Sequence, residues 1–412
     1  MPLEADVKQH MSERGYELIK KIADGGTSTI YLTSFRPPQG CVKRRKGGEE
    51  DDDNSESDKV LWMACKVIDM SQNTKVINTA RSTRNFCLSG SRRCVWTGEL
   101  CELHGDDRIF SRPPLADVED SRVFVDKFLF REIDILSKVH HPHIIHVFGI
   151  HRFRSVLFVF TRLAECGDLL EFVQRNGPVS EGTARLWSRQ IALALHYLNC
   201  LDIVHRDVRC ENVFISAKMN AKLGDFGFSR YLQEDRGGGQ RLSETYCGTI
   251  SYSAPEVLAG QPYDPRLSDI WSLGVTIFAM LHGKMPFPEP EKVKEFFEFQ
   301  AYKGWRMHLD EDLSTELGQV LSHLMEVDVG TRWTLDEFLN SPWMARAPGL
   351  LQLTPDEKEA LSAALDSRRR RDETAPRREA VEESDDTESR GQIPVGPRAS
   401  ARRSLSEGDV KA

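Results

Sequence analysis

The stretch IVHRDVRCENVF, Ile203–Phe214, decides how the chain is read. Asp207 offers a carboxylate able to take a proton, and Asn212 offers an amide oxygen able to hold a metal ion. Between them stands Arg209, a planar, permanently charged cation. Such a loop has a use only if the rest of the chain supplies further groups that act with it.

Bulk properties narrow the choice. The 412 residues suffice for two or three compact units, each with its own core. A formal net charge of -8, from 55 basic and 63 acidic residues, gives no overall basic surface, so no nucleic-acid partner is expected. Nine cysteines, an odd number at irregular spacing with no secretory leader ahead of them, read as reduced thiols of a cytoplasmic protein. The most apolar run, IWSLGVTIFAML at 270–281, falls short of the roughly 18 residues of a membrane span. It reads as a helix buried in a globular core, and no membrane partner is expected.

Working outward from the loop, hydrophobic periodicity divides the chain. YELIKKIADGGTSTIYLTSF, from Tyr16, predicts two strands around a glycine pair, and VLWMACKVI at 60–68 a third. Residues 36–59, with KRRK at 43–46 running into an acidic block, read as a solvated loop; the basic run also matches a nuclear-import patch. A helix is predicted over 121–139, with Phe124, Phe128, Ile135 and Val139 on one stripe and Glu132 at its edge. Strand character returns through HHPHIIHVFGI and SVLFVFTRL. From CGDLLEFV onward the period is helical, with Ser180 and Glu181 as cap and first-turn acid of the next helix. The chain thus predicts an α+β fold of two lobes: a small antiparallel-sheet lobe with one main helix, and a larger helical lobe.

The ordered series carries the chemistry: a glycine-bearing turn, Lys66, Glu132, HRDVRCEN, DFG at 225–227, APE at 254–256 and SDIWSLG at 268–274. It resembles the eukaryotic protein-kinase signature set over residues 16–344. The segments KFLFREIDIL, GDLLEF and LSETYCGTISYSAPEVLAGQPYDPRLSDIWSLGV resemble more closely the testis-specific serine/threonine kinases, a branch of the calmodulin-dependent kinase group. The resemblance implies ATP and Mg²⁺ as cofactors and serine or threonine hydroxyls of proteins as acceptors, in the setting of sperm development. A pseudokinase scaffold is the alternative.

What the resemblance implies for single residues can be set against their chemistry. Lys66 would hold the α- and β-phosphates and Glu132 would orient it; Asp207 would accept the hydroxyl proton; Asn212 and Asp225 would ligate hard Mg²⁺ ions. Nucleotide contacts are expected from Ile22, Ala23, Gly25, Gly26, Ser28 and Ile30, from gatekeeper Thr161, from Ala164 at the end of the hinge 162–164, and from Asp168. Thr249 would hydrogen-bond to Asp207, and Glu256 would pair with Arg332. Thr245 is the expected activating phosphosite, served by an activating kinase, with Arg206 as its cation. Asp168 and Glu211 predict a preference for arginine upstream of the target, moderated by Ala279 in place of a third acid.

Three departures stand out. Ala23 and Ser28 replace two loop glycines, and the Cβ of Ala23 restricts backbone approach to phosphate. Arg209 keeps the charge of the usual lysine but presents a planar fork. Residues 71–116 form an insertion containing Cys87, Cys94, Cys101 and His104 at a spacing that matches no familiar zinc geometry. The expected organisation is therefore an extension at 1–15, a domain at 16–344 divided at the hinge into lobes 16–161 and 165–344, and a charged, disordered tail at 345–412.

Overall fold

The computed structural model describes residues 5–24, 28–36, 60–69, 121–232, 242–243, 249–287, 300 and 313–374, with side chains of the helix at 121–138 described from 129 onward. The expectations about Gly25, Gly26, Thr245, the loop at 37–59, the insertion with its cysteines, and residues 375–412 lie outside these residues.

The small lobe is one antiparallel sheet in the order β1 (Tyr16–Asp24), β2 (Ser28–Phe35), β3 (Leu61–Asp69), β5 (Val156–Arg162), β4 (Val147–Phe153). Strand β3 is buried on both faces, and alternation separates its side chains into two sets. Met63, Cys65 and Val67 join Tyr16, Phe35, Phe158 and Phe160 under helix α1 (Ala5–Glu13), whose Val7 and Met11 close that layer. Burying those two side chains contributes about 3–6 kcal/mol, enough to hold a nine-residue helix that is marginal alone. Ala64, Lys66 and Ile68 face the other way. Ile68 meets Leu129 and Ile133 of α2 (Ser121–Lys138), while Ala64 and Lys66 open onto the space between the lobes.

The large lobe is built on α4 (Glu181–Cys200) and, after the short α5 (Pro255–Leu258), on α6 (Pro265–His282). Ser180 caps α4 through the Thr183 amide, and Asp264 caps α6 ahead of Pro265, whose missing N–H is no loss in a first turn. Both helices are buried nearly all round, with Trp187 and Trp271 fully enclosed in one large cluster. The run at 270–281, expected as a buried core helix, lies within α6. Glu256 and Arg332 pair as expected, through two bonds of 2.6 and 2.9 Å. Ahead of α4, the short helix α3 (Leu169–Asn176) begins the large lobe just past the hinge.

The reading of 345–412 as a disordered tail is corrected for its first part. Residues 348–350 form a 3₁₀ turn and Pro355–Thr374 a 20-residue helix, called α7 here. Thr354 and Glu357 cap it reciprocally: the Glu357 amide donates to Thr354 Oγ1 at 3.3 Å, and the Thr354 amide donates to Glu357 Oε2 at 2.8 Å. Ala360 and Ala364 then bury one narrow face in the core of the large lobe, against the same cluster as α4. Charge density conceals this helix in the sequence because its docking face is made of small residues.

Candidate active site

The space between the lobes is lined above by Ile30, Ala64 and Lys66, behind by Glu132 and Thr161, and below by Ile145, Phe214, Gly224 and Asp225. Ile22 and Ala23 pack on the same cluster, together with hinge residues Leu163 and Ala164. Apolar side chains of both lobes around this space suit a flat aromatic ring. Gly224 is needed in the floor, for a Cβ there would lie 2.8 Å from the Phe214 ring and 3.0 Å from Ile145. Of the expected nucleotide contacts, Ile30, Lys66 and Thr161 line the space, while Ile22, Ala23 and Ala164 belong to its apolar shell. Ser28 is buried with its hydroxyl unpartnered among the described residues. Ala64, Ile145, Leu163 and Phe214 were not among the expected residues, though Ala64 and Phe214 lie two positions from Lys66 and Asn212.

Charge chemistry collects at the mouth of this space. Lys66 Nζ donates to Glu132 Oε1 at 2.7 Å and stands 3.7 Å from Asp225 Oδ1. Burial alone would favour the neutral amine, but the two carboxylates outweigh it and raise the lysine pKa, keeping a cation in place. Asp225 itself has a left-handed backbone, φ 57°, strained for a residue with a Cβ, and its Oδ1 accepts the Gly227 amide at 3.3 Å.

The loop quoted at the outset is held from beneath. Arg206 is also left-handed, φ 65°, and Asp269 of α6 accepts the amides of His205 at 2.9 Å and Arg206 at 2.7 Å. These two bonds, accepted by a carboxyl that burial pushes up to about 7, fix the turn that leads into Asp207. Asn212 Nδ2 donates to the Asp207 carbonyl at 2.8 Å and to its Oδ2 at 2.7 Å. Burial pushes the Asp207 carboxyl up to about 6 despite the opposing charge of Arg209. Thr249 Oγ1 donates to Asp207 Oδ1 at 3.4 Å, as expected. Arg209 is buried beside Asp207, Glu211 and Thr249.

Asp168, expected at a ribose or a substrate, also has a structural part. It is fully buried, and its Oδ1 accepts the Glu171 amide at 2.8 Å as the N-cap of α3. An aspartate followed three residues later by a glutamate is a helix-start signal, so the sequence contained this second role.

No ligand accompanies the chain, so the fit of metal and nucleotide rests on the donor set. Asn212 Oδ1 is buried without a hydrogen-bond partner among the described residues, while its amide nitrogen is fully used. An orphaned amide oxygen near an aspartate carboxylate matches a hard divalent cation.

The geometry agrees with comparison to known proteins. The protein kinase domain family matches residues 115–344. Testis-specific serine/threonine-protein kinase 2 of Mus musculus is 37% identical over 242 residues, covering 58% of this chain and 65% of that protein. Testis-specific serine/threonine-protein kinase 1 of Homo sapiens is 38% identical over 222 residues, 54% of this chain and 60% of that one. The chain thus spans less than two thirds of the length of these two relatives. It covers 81% of testis-specific serine/threonine-protein kinase 3 of Mus musculus, at 35% identity and over 54% of its own length. A lysine–glutamate pair, a clamped proton acceptor and two oxygen donors around one apolar slot therefore belong to a member of the protein kinase domain family, related to its testis-specific serine/threonine kinases.

Proposed function

We propose that the chain transfers the γ-phosphoryl group of ATP to serine or threonine hydroxyls of protein substrates. The observation that carries this is the simultaneous placement of the Lys66–Glu132 pair and of Asp207 braced by Asn212 and Thr249, with Asp225 between them. The acceptor oxygen forms a bond to the γ-phosphorus, the bond to the β,γ-bridging oxygen breaks, and the hydroxyl proton passes to Asp207. Lys66 holds phosphate oxygens in line, and Glu132 keeps its ammonium from swinging away. Asn212 and Asp225 would hold Mg²⁺, which when bound neutralises charge on the phosphates. Thr249, in the segment ahead of Ala254, ties the acceptor side to the base.

The same reading gives Thr245 the role of activating phosphosite. Arg206 Nε donates to the Phe228 carbonyl at 2.9 Å, while its Nη1 is buried with no partner among the described residues. A buried cation there favours an arriving dianion. The names of the relatives support a setting in sperm development.

The test is phosphotransfer from MgATP by purified protein to serine, threonine and tyrosine peptides. Asp225→Asn or Lys66→Met should each lose about 10²- to 10³-fold, the usual cost of one transition-state contact. Equal activity in all three proteins, or preference for tyrosine, overturns the proposal.

A further inference from the structure

Arg209 reaches three groups at once. Its Nη1 donates to Thr249 Oγ1 at 2.5 Å and lies 3.5 Å from Glu211 Oε1, and its Nε is 3.5 Å from Asp207 Oδ2. The residue is buried, as is Asp207, so these contacts lie in a poorly solvated place where charge pairing is strong. A lysine ammonium is a point charge on a flexible stem and cannot serve three partners in different directions; a guanidinium fork can.

The position of Glu211 gives this contact a consequence for substrate choice. Because one guanidinium spans Asp207 and Glu211, Glu211 lies beside the point where an acceptor hydroxyl must sit. An extended peptide advances about 3.3 Å per residue, so side chains two or three positions from that hydroxyl come within reach of Glu211. A free carboxylate there would select arginine. Here Oε1 already faces the Arg209 cation at 3.5 Å, which neutralises the carboxylate's charge, while Oε2 is buried without a hydrogen-bond partner among the described residues. The other acid expected to select arginine, Asp168, is buried as the α3 cap.

We infer that Arg209 is a positioning and specificity-determining residue: its fork ties Thr249 to Asp207 and masks Glu211, so the site takes peptides with uncharged residues upstream of the target and selects little for arginine. This rests on the phosphotransfer reading above and replaces the upstream-arginine preference expected from sequence. An incoming arginine would have to displace an intramolecular cation that is already buried and requires no ordering on binding.

The experiment uses the full chain and two fluorescein-labelled serine peptides that differ only in arginine or alanine three residues before the serine. kcat and KM are measured for each, and binding is read by anisotropy without nucleotide. Wild type should favour arginine by less than about threefold. Arg209→Lys should raise that ratio about tenfold, mostly in KM, because one charge-assisted contact becomes available. In Arg209→Lys/Glu211→Gln the gain should vanish. Glu211→Gln alone should leave the ratio within about twofold of wild type, since the charge it removes is already neutralised by Arg209. A wild-type ratio above about tenfold that falls in Glu211→Gln overturns the inference. Glu211→Gln also decides the matter if Arg209→Lys does not fold. Absence of transfer to either peptide would count against the phosphotransfer reading, while the anisotropy ratio would still decide whether Glu211 is masked.

Discussion

Glu357 holds the C-terminal helix to the large lobe, and removing its carboxylate should release that helix. The carboxylate accepts Arg189 Nη1 at 2.8 Å and Nη2 at 3.0 Å, His143 Nε2 at 2.7 Å and the Thr354 amide at 2.8 Å. Arg189 is itself buried, and its remaining donors reach the Leu350 and Gln352 carbonyls. In Glu357→Ala the guanidinium would stay buried without its counter-charge, at a cost of about 3–5 kcal/mol. Against that stands the apolar docking of α7, chiefly the methyls of Ala360 and Ala364, worth on the order of 2 kcal/mol. The charge penalty exceeds the docking energy, so the helix should leave and let water reach Arg189. Amide exchange over 350–374 should then accelerate by at least about tenfold, while the cores around Trp187 and Trp271 keep their protection. Because the helix can escape, the main unfolding transition should move by only a few degrees, roughly 2–4 °C. Arg189→Ala combined with Glu357→Ala should exchange little faster than either alone, since both remove one interaction. Unchanged exchange over 355–374 in Glu357→Ala would refute the argument.

Acid should loosen the same helix. Glu357 is held below its ordinary pKa of 4.5, its bonds from His143 and Arg189 outweighing burial, and burial holds His143 below 6.5 although Glu357 opposes it. The unfolded chain therefore binds more protons at both sites, so the stabilisation is full above about pH 6.5 and is lost as pH falls, first through His143 and below about 4.5 through Glu357. The difference between wild type and Glu357→Gln in α7 exchange should narrow as pH falls below about 4.5; parallel profiles there would contradict the assignment. Thr245→Ala and Arg206→Ala should each lose most peptide phosphotransfer, with the double variant little worse. Full activity in Thr245→Ala would mean that the acceptor segment is ordered without a phosphate.

How far the chain could be read in advance depended on what kind of constraint each residue meets. Lys66, Glu132, Asp207, Asn212 and Asp225 were legible because phosphate and metal chemistry accepts few residue types, and their order placed them on a strand, a helix and two loops. Ala64, Ile145, Leu163 and Phe214 were not, since any mid-sized apolar residue satisfies periodicity and the pattern does not say which strand face meets the cleft. Asp168 carries two signals at once. Its identity drew a ligand role, while the Asp-x-x-Glu pattern beside it equally marked a helix start, and the structure shows the cap bond. The helix at 355–374 was hidden by arithmetic: a stripe of Ala360, Leu361 and Ala364 adds little hydrophobic signal beside the arginines at 368–371. Its local signature was present in Thr354 and Glu357, but a capping box predicts only that a helix starts, not that it docks. Docking depends on Arg189, 168 residues earlier in the chain, which on α4 read as one more polar position. The pairing of Arg189 with Glu357 is a long-range electrostatic fact with no local pattern. It emerges only from asking, once α4 is known to be buried, where the charge of its arginine goes.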